Sequence, residues 1–371
     1  MLSIFHKLAK KLKINTGFCG GCSVGIIRQN CLACMALLTV LILGAAAAQA
    51  LEPIPQDSGF SGFIRPGAGY VSVKSNMVAS FLGGDLSEKR AGSLFDSPGS
   101  KSSPLALIPF SLKYTFASTR TQFFIGTELT DLIRFDYSQQ AGIKQEIGKL
   151  GIIQGGYLFN IISTTVWQDP YVAGYRDRIE TNRRTNGVRL VWDRLFDSQL
   201  QLQYTYRKID LGKERSGEFL GLNSAQRHLL DRNGNRHVGE ILYRFDITPK
   251  HMWTPAFRYT RSDLNGAAMA GYAYTFQLNY VYSGDPFTVT ANAFFGFEDY
   301  DERNPIYNIS QTDDHIGLQA SIYYKNPWGW RIFSSNPINF YVSGAFVDID
   351  ANIDFYDQQA IVATGGVLFR W

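Results

Sequence analysis

Between residues 272 and 282 every second side chain is large and apolar or aromatic: Tyr272, Tyr274, Phe276, Leu278, Tyr280 and Tyr282, with Ala273, Thr275, Gln277, Asn279 and Val281 between them. A helix would scatter the first set around its circumference, whereas a strand puts all six on one face. The pattern returns at Phe287, Val289, Ala291, Ala293, Phe295 and Phe297, at Ile316, Leu318, Ala320, Ile322 and Tyr324, and at Ile338, Phe340, Val342 and Phe346. Segments 106–116, 121–129, 188–192 and 200–206 repeat it more briefly. About ten alternating residues is the length a tilted strand needs to cross a bilayer.

The connections alternate too. Segments 196–199, 247–250 and 283–286 have the composition of tight turns, while 75–104, 163–185, 212–236 and 299–313 are long and polar. Short turns at one rim and long loops at the other is how transmembrane barrels are built. The expected fold is therefore all-β: an antiparallel up-and-down transmembrane barrel of about fourteen strands, twelve or sixteen also satisfying the pattern. The pattern is faintest over 134–159, where two glycine-rich strands are needed to keep the count even.

Composition agrees. A mean hydropathy of −0.12 is too polar for a bundle of membrane helices, but a barrel offers only alternate residues to lipid. Aromatic residues make up 14% of the chain, as girdles at both membrane interfaces require.

Residues 1–50 read as a cleaved secretory leader and 51–371 as the barrel. The apolar stretch that begins at Met35 ends in Ala48-Gln49-Ala50, a small-x-small cleavage site, and is too short to span a membrane. All four cysteines, Cys19, Cys22, Cys31 and Cys34, lie in this leader. Their two CxxC spacings are those of a zinc or redox site, but no element pattern surrounds them to hold a metal. Five of the 36 basic residues also sit here, leaving 31 against 32 acidic ones in the mature chain. That near-neutral balance excludes a nucleic-acid surface.

The last strand is a separate signal. Trp371, Phe369, Val367, Ala363 and Ile361 share one face, and the chain stops on an aromatic residue. This ending resembles the C-terminal signature that the barrel assembly machinery recognises, with Val367, Phe369 and Trp371 as its core.

Several loop motifs support a family resemblance: Ser58-Gly59-Phe60-Ser61-Gly62, Val166-Trp167-Gln168-Asp169-Pro170-Tyr171, Leu230-Asp231-Arg232-Asn233-Gly234, Asn304-Pro305-Ile306 and Asn352-Ile353-Asp354-Phe355-Tyr356-Asp357. Together they resemble a family of porin-like outer-membrane proteins of Gram-negative bacteria, grouped as a domain of unknown function, some of whose members are called OmpL-type porins. The resemblance runs from about Gly59 to Trp371. It implies an outer-membrane barrel and a channel, and transfers no catalytic or binding residue.

With the aromatic set facing lipid, the opposite set faces inward: Lys113, Glu128, Lys144, Arg189, Asp193, Gln203, Arg207, Glu240, Arg244, Arg258, Asn292, Gln319 and Lys325. Charges on the lipid face would cost roughly 2–4 kcal/mol each near the midplane, whereas a wet lumen accepts them. The expected function is passive diffusion of small polar solutes or ions, with slight anion preference because basic residues lead. The alternatives are a non-conducting surface barrel and a barrel hydrolase. The loop with Arg176, Arg178, Arg183 and Arg184 is the expected constriction, or else a contact for lipopolysaccharide phosphates. Lipid and lipopolysaccharide are the expected surroundings, and self-association is left open.

The mature histidines are His228, His237, His251 and His315. Asp313-Asp314-His315 has the acid–imidazole composition of a general-base site, but reads as a solvated loop edge. No histidine is expected within a strand, and no His–Ser arrangement of a lipase occurs. The expectation is no catalytic residue, no cofactor and no metal.

Overall fold

The structure is a computed structural model that describes residues 53–371 apart from 82–83, 87, 91, 129–137, 175 and 333–335. The leader and its cysteines lie outside the described residues. Fourteen strands follow in chain order: β1 (Gly59–Ile64 and Gly67–Lys74), β2 (Ser100–Leu107 and Phe110–Phe116), β3 (Thr121–Glu128), β4 (Ser138–Glu146), β5 (Ile152–Phe159, extended by Thr164–Trp167), β6 (Glu180–Asp193) and β7 (Leu200–Leu211). Then come β8 (Gly234–Tyr243 and Phe245–Thr248), β9 (His251–Leu264), β10 (Gly271–Ser283), β11 (Phe287–Arg303), β12 (Ser310–Tyr324), β13 (Asn336–Ala351) and β14 (Gln358–Arg370).

Each strand pairs antiparallel with the next, and β14 returns to β1. The result is a closed, up-and-down barrel. At the seam Phe63 lies opposite Arg370 and Gly67 opposite Gly366. Just beyond Phe63 and Arg370 the Gly62 and Trp371 backbones exchange hydrogen bonds of 3.0 and 3.1 Å. β1 and its neighbour β2 are each interrupted by proline, β1 at Pro66 and β2 at Pro109, since proline brings no N–H to the ladder. The prolines' own carbonyls still join the ladder: Pro66 O accepts from Val367 N and Pro109 O from Arg65 N.

The alternation read from sequence becomes two faces. Tyr272, Tyr274 and Phe276 on β10, Phe295 and Phe297 on β11, and Leu318 and Ile322 on β12 point outward and are exposed. Their neighbours Ala273, Thr275, Asn279 and Asn292 point inward and are buried. Aromatic residues gather near the turn rim: Trp328 packs edge-on against Phe340 at 4.6 Å, and Phe287 stacks on Tyr324 at 4.8 Å. Such a girdle marks a membrane interface.

Strands run further than the hydropathy pattern does. The segment 299–313, expected to be a loop, instead carries β11 up to Arg303 and begins β12 at Ser310. Likewise β6 begins at Glu180 and β7 runs to Leu211. Beyond the hydrocarbon a strand needs its ladder but no apolar face, so alternation fades while pairing continues. The wall is uneven as a result, with 8 residues in β3 and 17 in β11.

The face assignment is open to direct test. Phe276→Arg should destabilise the refolded barrel by about 2–4 kcal/mol, as a lipid-facing cation near mid-strand does. Thr275→Arg, one residue along and facing the lumen, should change the guanidinium midpoint in vesicles far less. Equal effects would contradict the assignment.

Candidate functional site

Inward-facing side chains bound a cavity of about 360 Å³ near the loop rim. Its lining is divided by charge. Arg183 and Arg189 on β6, Arg207 on β7, Arg236 on β8 and Arg258 on β9 form a basic arc, joined by Arg232 of the β7–β8 loop. Glu298 and Tyr300 on β11 with Gln311, Asp313 and His315 on β12 form an acidic arc. Register sharpens the division. Arg207 lies directly opposite Arg236, and Glu298 directly opposite Asp313, so each arc contains a like-charge cross-strand pair. Such pairs repel.

Local contacts hold the basic arc in place. Arg189 Nε donates to Thr205 Oγ1 at 3.0 Å, Arg207 donates to Ser138 Oγ at 3.1 Å, and Arg236 Nε to Ser262 Oγ at 3.3 Å. Arg258 pairs with Glu240 at 2.6 Å, its register partner. Four of the anticipated lumen residues, Arg189, Gln203, Arg207 and Arg258, therefore line the cavity itself. Lys144 and Glu240 are buried in the inward set, and Lys113 is half-buried on the same face of β2. Asp193 and Arg244 flank a narrow recess lower down. Lys325 is exposed in the β12–β13 turn, where its Nζ donates to the Gly284 carbonyl at 2.6 Å. The Glu128 side chain lies outside the described residues.

The third arc is apolar. Val71 and Val73 on β1, Leu105 and Leu107 on β2 and Ala360 on β14 face inward, and Leu86 packs on them. Leu86 belongs to the β1–β2 loop, so this loop folds into the barrel. It also sends a short strand, Val78–Phe81, alongside the β5 extension, and Met77 and Val78 line the cavity. The inward loop expected from sequence was the one at 168–185. There Arg183 does line the cavity, but Arg176 and Arg184 are exposed. Arg178 is buried over the Trp167 ring at 4.5 Å and donates to the carbonyls of Asn76, Glu88 and Pro170. Burial lowers its pKa to about 10, which leaves it charged at neutral pH. It clamps the inward loop instead of constricting a pore, because three backbone carbonyls offer a cation more than open solvent geometry does.

Above the cavity the loops share one apolar core. Tyr171, Leu230, Met269, Ile353, Phe355 and Tyr356 are buried together, with Met77, Leu94, Leu222, Ile306 and Tyr307 packed around them. Tyr171 stacks on Phe355 at 5.4 Å. Its hydroxyl meets that of Tyr356 at 2.6 Å, and Asn304 Nδ2 donates to Tyr356 Oη at 2.7 Å. Desolvation raises the pKa of Tyr171, Tyr356 and Tyr307, keeping these phenols neutral. Polar stitches surround the core. The Asp169 carboxylate accepts from the backbone N–H groups of Tyr171, Gly217 and Phe219, and Arg232 joins Glu214 to the Trp167 and Gln168 carbonyls. Met269 and Tyr356 also line the cavity, so this cap is its ceiling.

The histidines differ from expectation. His315 lies within β12 and faces the lumen, its Nε2 3.4 Å from Glu298 Oε2, while the adjacent Asp314 is exposed. His237 lies within β8 beside Tyr204 Oη at 2.8 Å. Both were read as loop residues because polar neighbours hide a strand that extends beyond the hydrocarbon. His315 and Glu298 were not paired by sequence reasoning, since 17 positions separate them and only register joins them.

A closed antiparallel barrel with a charged lumen, an aromatic outer belt, short turns and long loops is the architecture of an outer-membrane β-barrel protein. Within that class the chain belongs to the family described as Protein of unknown function (DUF2860), whose model matches residues 59–370. No curated protein matches it. Among solved structures it is similar to an anion-selective porin from Comamonas acidovorans, at 9% identity over 85% of this chain and 100% of that one, with a TM-score of 0.36. OprD of Pseudomonas aeruginosa gives 10% identity, 88% and 98% coverage and a TM-score of 0.33. A FadL homologue of the same species gives 10%, 86%, 91% and 0.39.

The cap and the wall should respond separately to mutation. Phe355→Ala removes a fully buried ring, a change that costs about 3–5 kcal/mol in a packed core. Proteolysis of the loops should accelerate markedly while the heat-modifiable mobility of the folded barrel is retained. Loss of the folded band instead would show that cap and wall form one cooperative unit.

Proposed function

We propose that this protein is an outer-membrane channel of porin type, passing small polar solutes by passive diffusion with anions favoured. The observation that carries the reading is the basic arc: lumen-facing arginines on four successive strands, β6 to β9, around a cavity beneath the loops. Arginine side chains turned inward at this density are sustained by water and by anions, not by hydrocarbon. The acidic arc beside them adds a field across the lumen that orients dipolar solutes. In this reading the short turns face the periplasm, and Phe369 near the end of β14, with Trp371 just past it, lies where the assembly machinery engages the barrel. Exposed Arg176 and Arg184 suit lipopolysaccharide phosphates. We expect no catalytic activity.

The apolar cap favours a second reading, a non-conducting surface barrel whose loops are the functional part. Planar-bilayer recording separates the two. Purified, folded protein should give discrete conductance steps, and a salt gradient should give a reversal potential of anion-favouring sign. Arg207→Glu with Arg236→Glu should move that potential toward cations. Absence of steps from folded protein would reject the channel and leave the surface-barrel reading.

A further inference from the structure

The acidic arc has the make-up of a metal site. Glu298 and Asp313 are a direct cross-strand pair, both facing the lumen, and His315 stands two residues from Asp313 on the same face. The side chains offer two carboxylate oxygens and one imidazole nitrogen, all within 4.8 Å of one another. Two carboxylates placed opposite each other repel unless a cation or a shared proton intervenes. Among the described residues the pair meets no Lys or Arg within 4.0 Å; its one basic neighbour is His315, 3.4 Å from Glu298.

What surrounds Asp313 holds it in place without neutralising it. Tyr300 donates to its Oδ2 at 3.1 Å, and Gln311 Nε2 donates to both its oxygens at 2.9 and 3.1 Å. Neutral donors orient a carboxylate but leave its charge, and an ionised carboxylate has lone pairs for about four partners. Gln311 supplies an independent pointer. Only 2% of the residue is exposed, and its amide oxygen, beside the carboxylate its nitrogen holds, has no hydrogen-bond partner among the described residues. A buried amide oxygen without a partner, on a side chain already held against Asp313, is a candidate further ligand, with the lining of the cavity as the route in.

We propose that Glu298, Asp313 and His315, with the Gln311 amide oxygen, bind one divalent transition-metal ion of the zinc type in the upper lumen. Donors sharing a tetrahedral ion at about 2.1 Å lie roughly 3.4 Å apart, so the three side chains need close by no more than about 1.4 Å. The half-buried Glu298 has a flexible side chain to do so. One nitrogen among oxygen ligands selects zinc-like ions over magnesium, which demands an octahedral oxygen shell and sheds water reluctantly. The two carboxylates match the ion's double charge. Such an ion would bridge β11 and β12 beneath the cap, and the site stands whether or not the lumen conducts.

The test is calorimetric and needs no ion flow. Tag-free protein, refolded in detergent and freed of metal with EDTA, is titrated with Zn²⁺ and separately with Mg²⁺. The expected result is one saturable Zn²⁺ site per barrel and at least tenfold weaker Mg²⁺ binding. His315→Gln and Glu298→Gln should each weaken Zn²⁺ binding at least tenfold, with folding confirmed by heat-modifiable mobility. Any of three results overturns the proposal: no saturable Zn²⁺ binding by the wild-type barrel, equal affinity for the two ions, or undiminished binding by the folded variants. A barrel that fails this zinc titration yet conducts would reject this site alone and leave the channel standing.

Discussion

Backbone satisfaction in hydrocarbon governs everything else in this molecule. No water reaches the lipid-facing wall, so an unpaired strand edge there would leave N–H and C=O groups without partners, at a cost of several kcal/mol each. The β1–β14 seam removes that edge. It is also where the wall is irregular, with Pro66 interrupting β1 and with facing glycines, Gly67 opposite Gly366, letting the backbones approach. Closure survives because backbone bonds bracket the interruption: Pro66 O accepts from Val367 N, and Gly62 and Trp371 exchange a pair.

Once the ladder is closed, the two faces of each strand answer to different solvents. The outer face has a single task and is uniform. The inner face is divided into a basic arc on β6–β9, an acidic arc on β11–β12 and an apolar arc on β1, β2 and β14. The apolar arc explains the inward loop: Val71, Val73, Leu105 and Leu107 would face water if Leu86 did not cover them. Burying each such side chain contributes about 1.5–3 kcal/mol. The charged arcs have no such cover and bound open volume instead. Loop and cavity thus follow from the same division of the wall.

The cap is a second core, built from segments distant in sequence. Tyr171, Leu230, Met269 and Phe355 come from four different loops. Its polar stitches, at Asp169, Arg178 and Arg232, satisfy backbone groups that loops ordinarily leave to water. Motifs that carried the family resemblance, around Trp167–Tyr171, Leu230–Gly234 and Asn352–Asp357, are largely those that meet here. Their shared packing is the physical content of that resemblance.

Period-two alternation made the wall legible: where one face meets hydrocarbon and the other does not, hydropathy must alternate, and β10–β14 could be read almost residue by residue. The inward direction of Arg189, Arg207 and Arg258 followed from that rule, whereas the count also leaned on the requirement that it be even. It fell silent where the outer face meets water. The extensions of β11 and β12 therefore looked like loop, and His315 was misread with them. The sequence by itself determined which side chains face lipid, because that is a local, periodic property. Only the tertiary structure decided which inward residues share an arc, which loop folds in, and that Glu298 stands opposite Asp313. Those depend on register and closure, which join residues far apart in the chain.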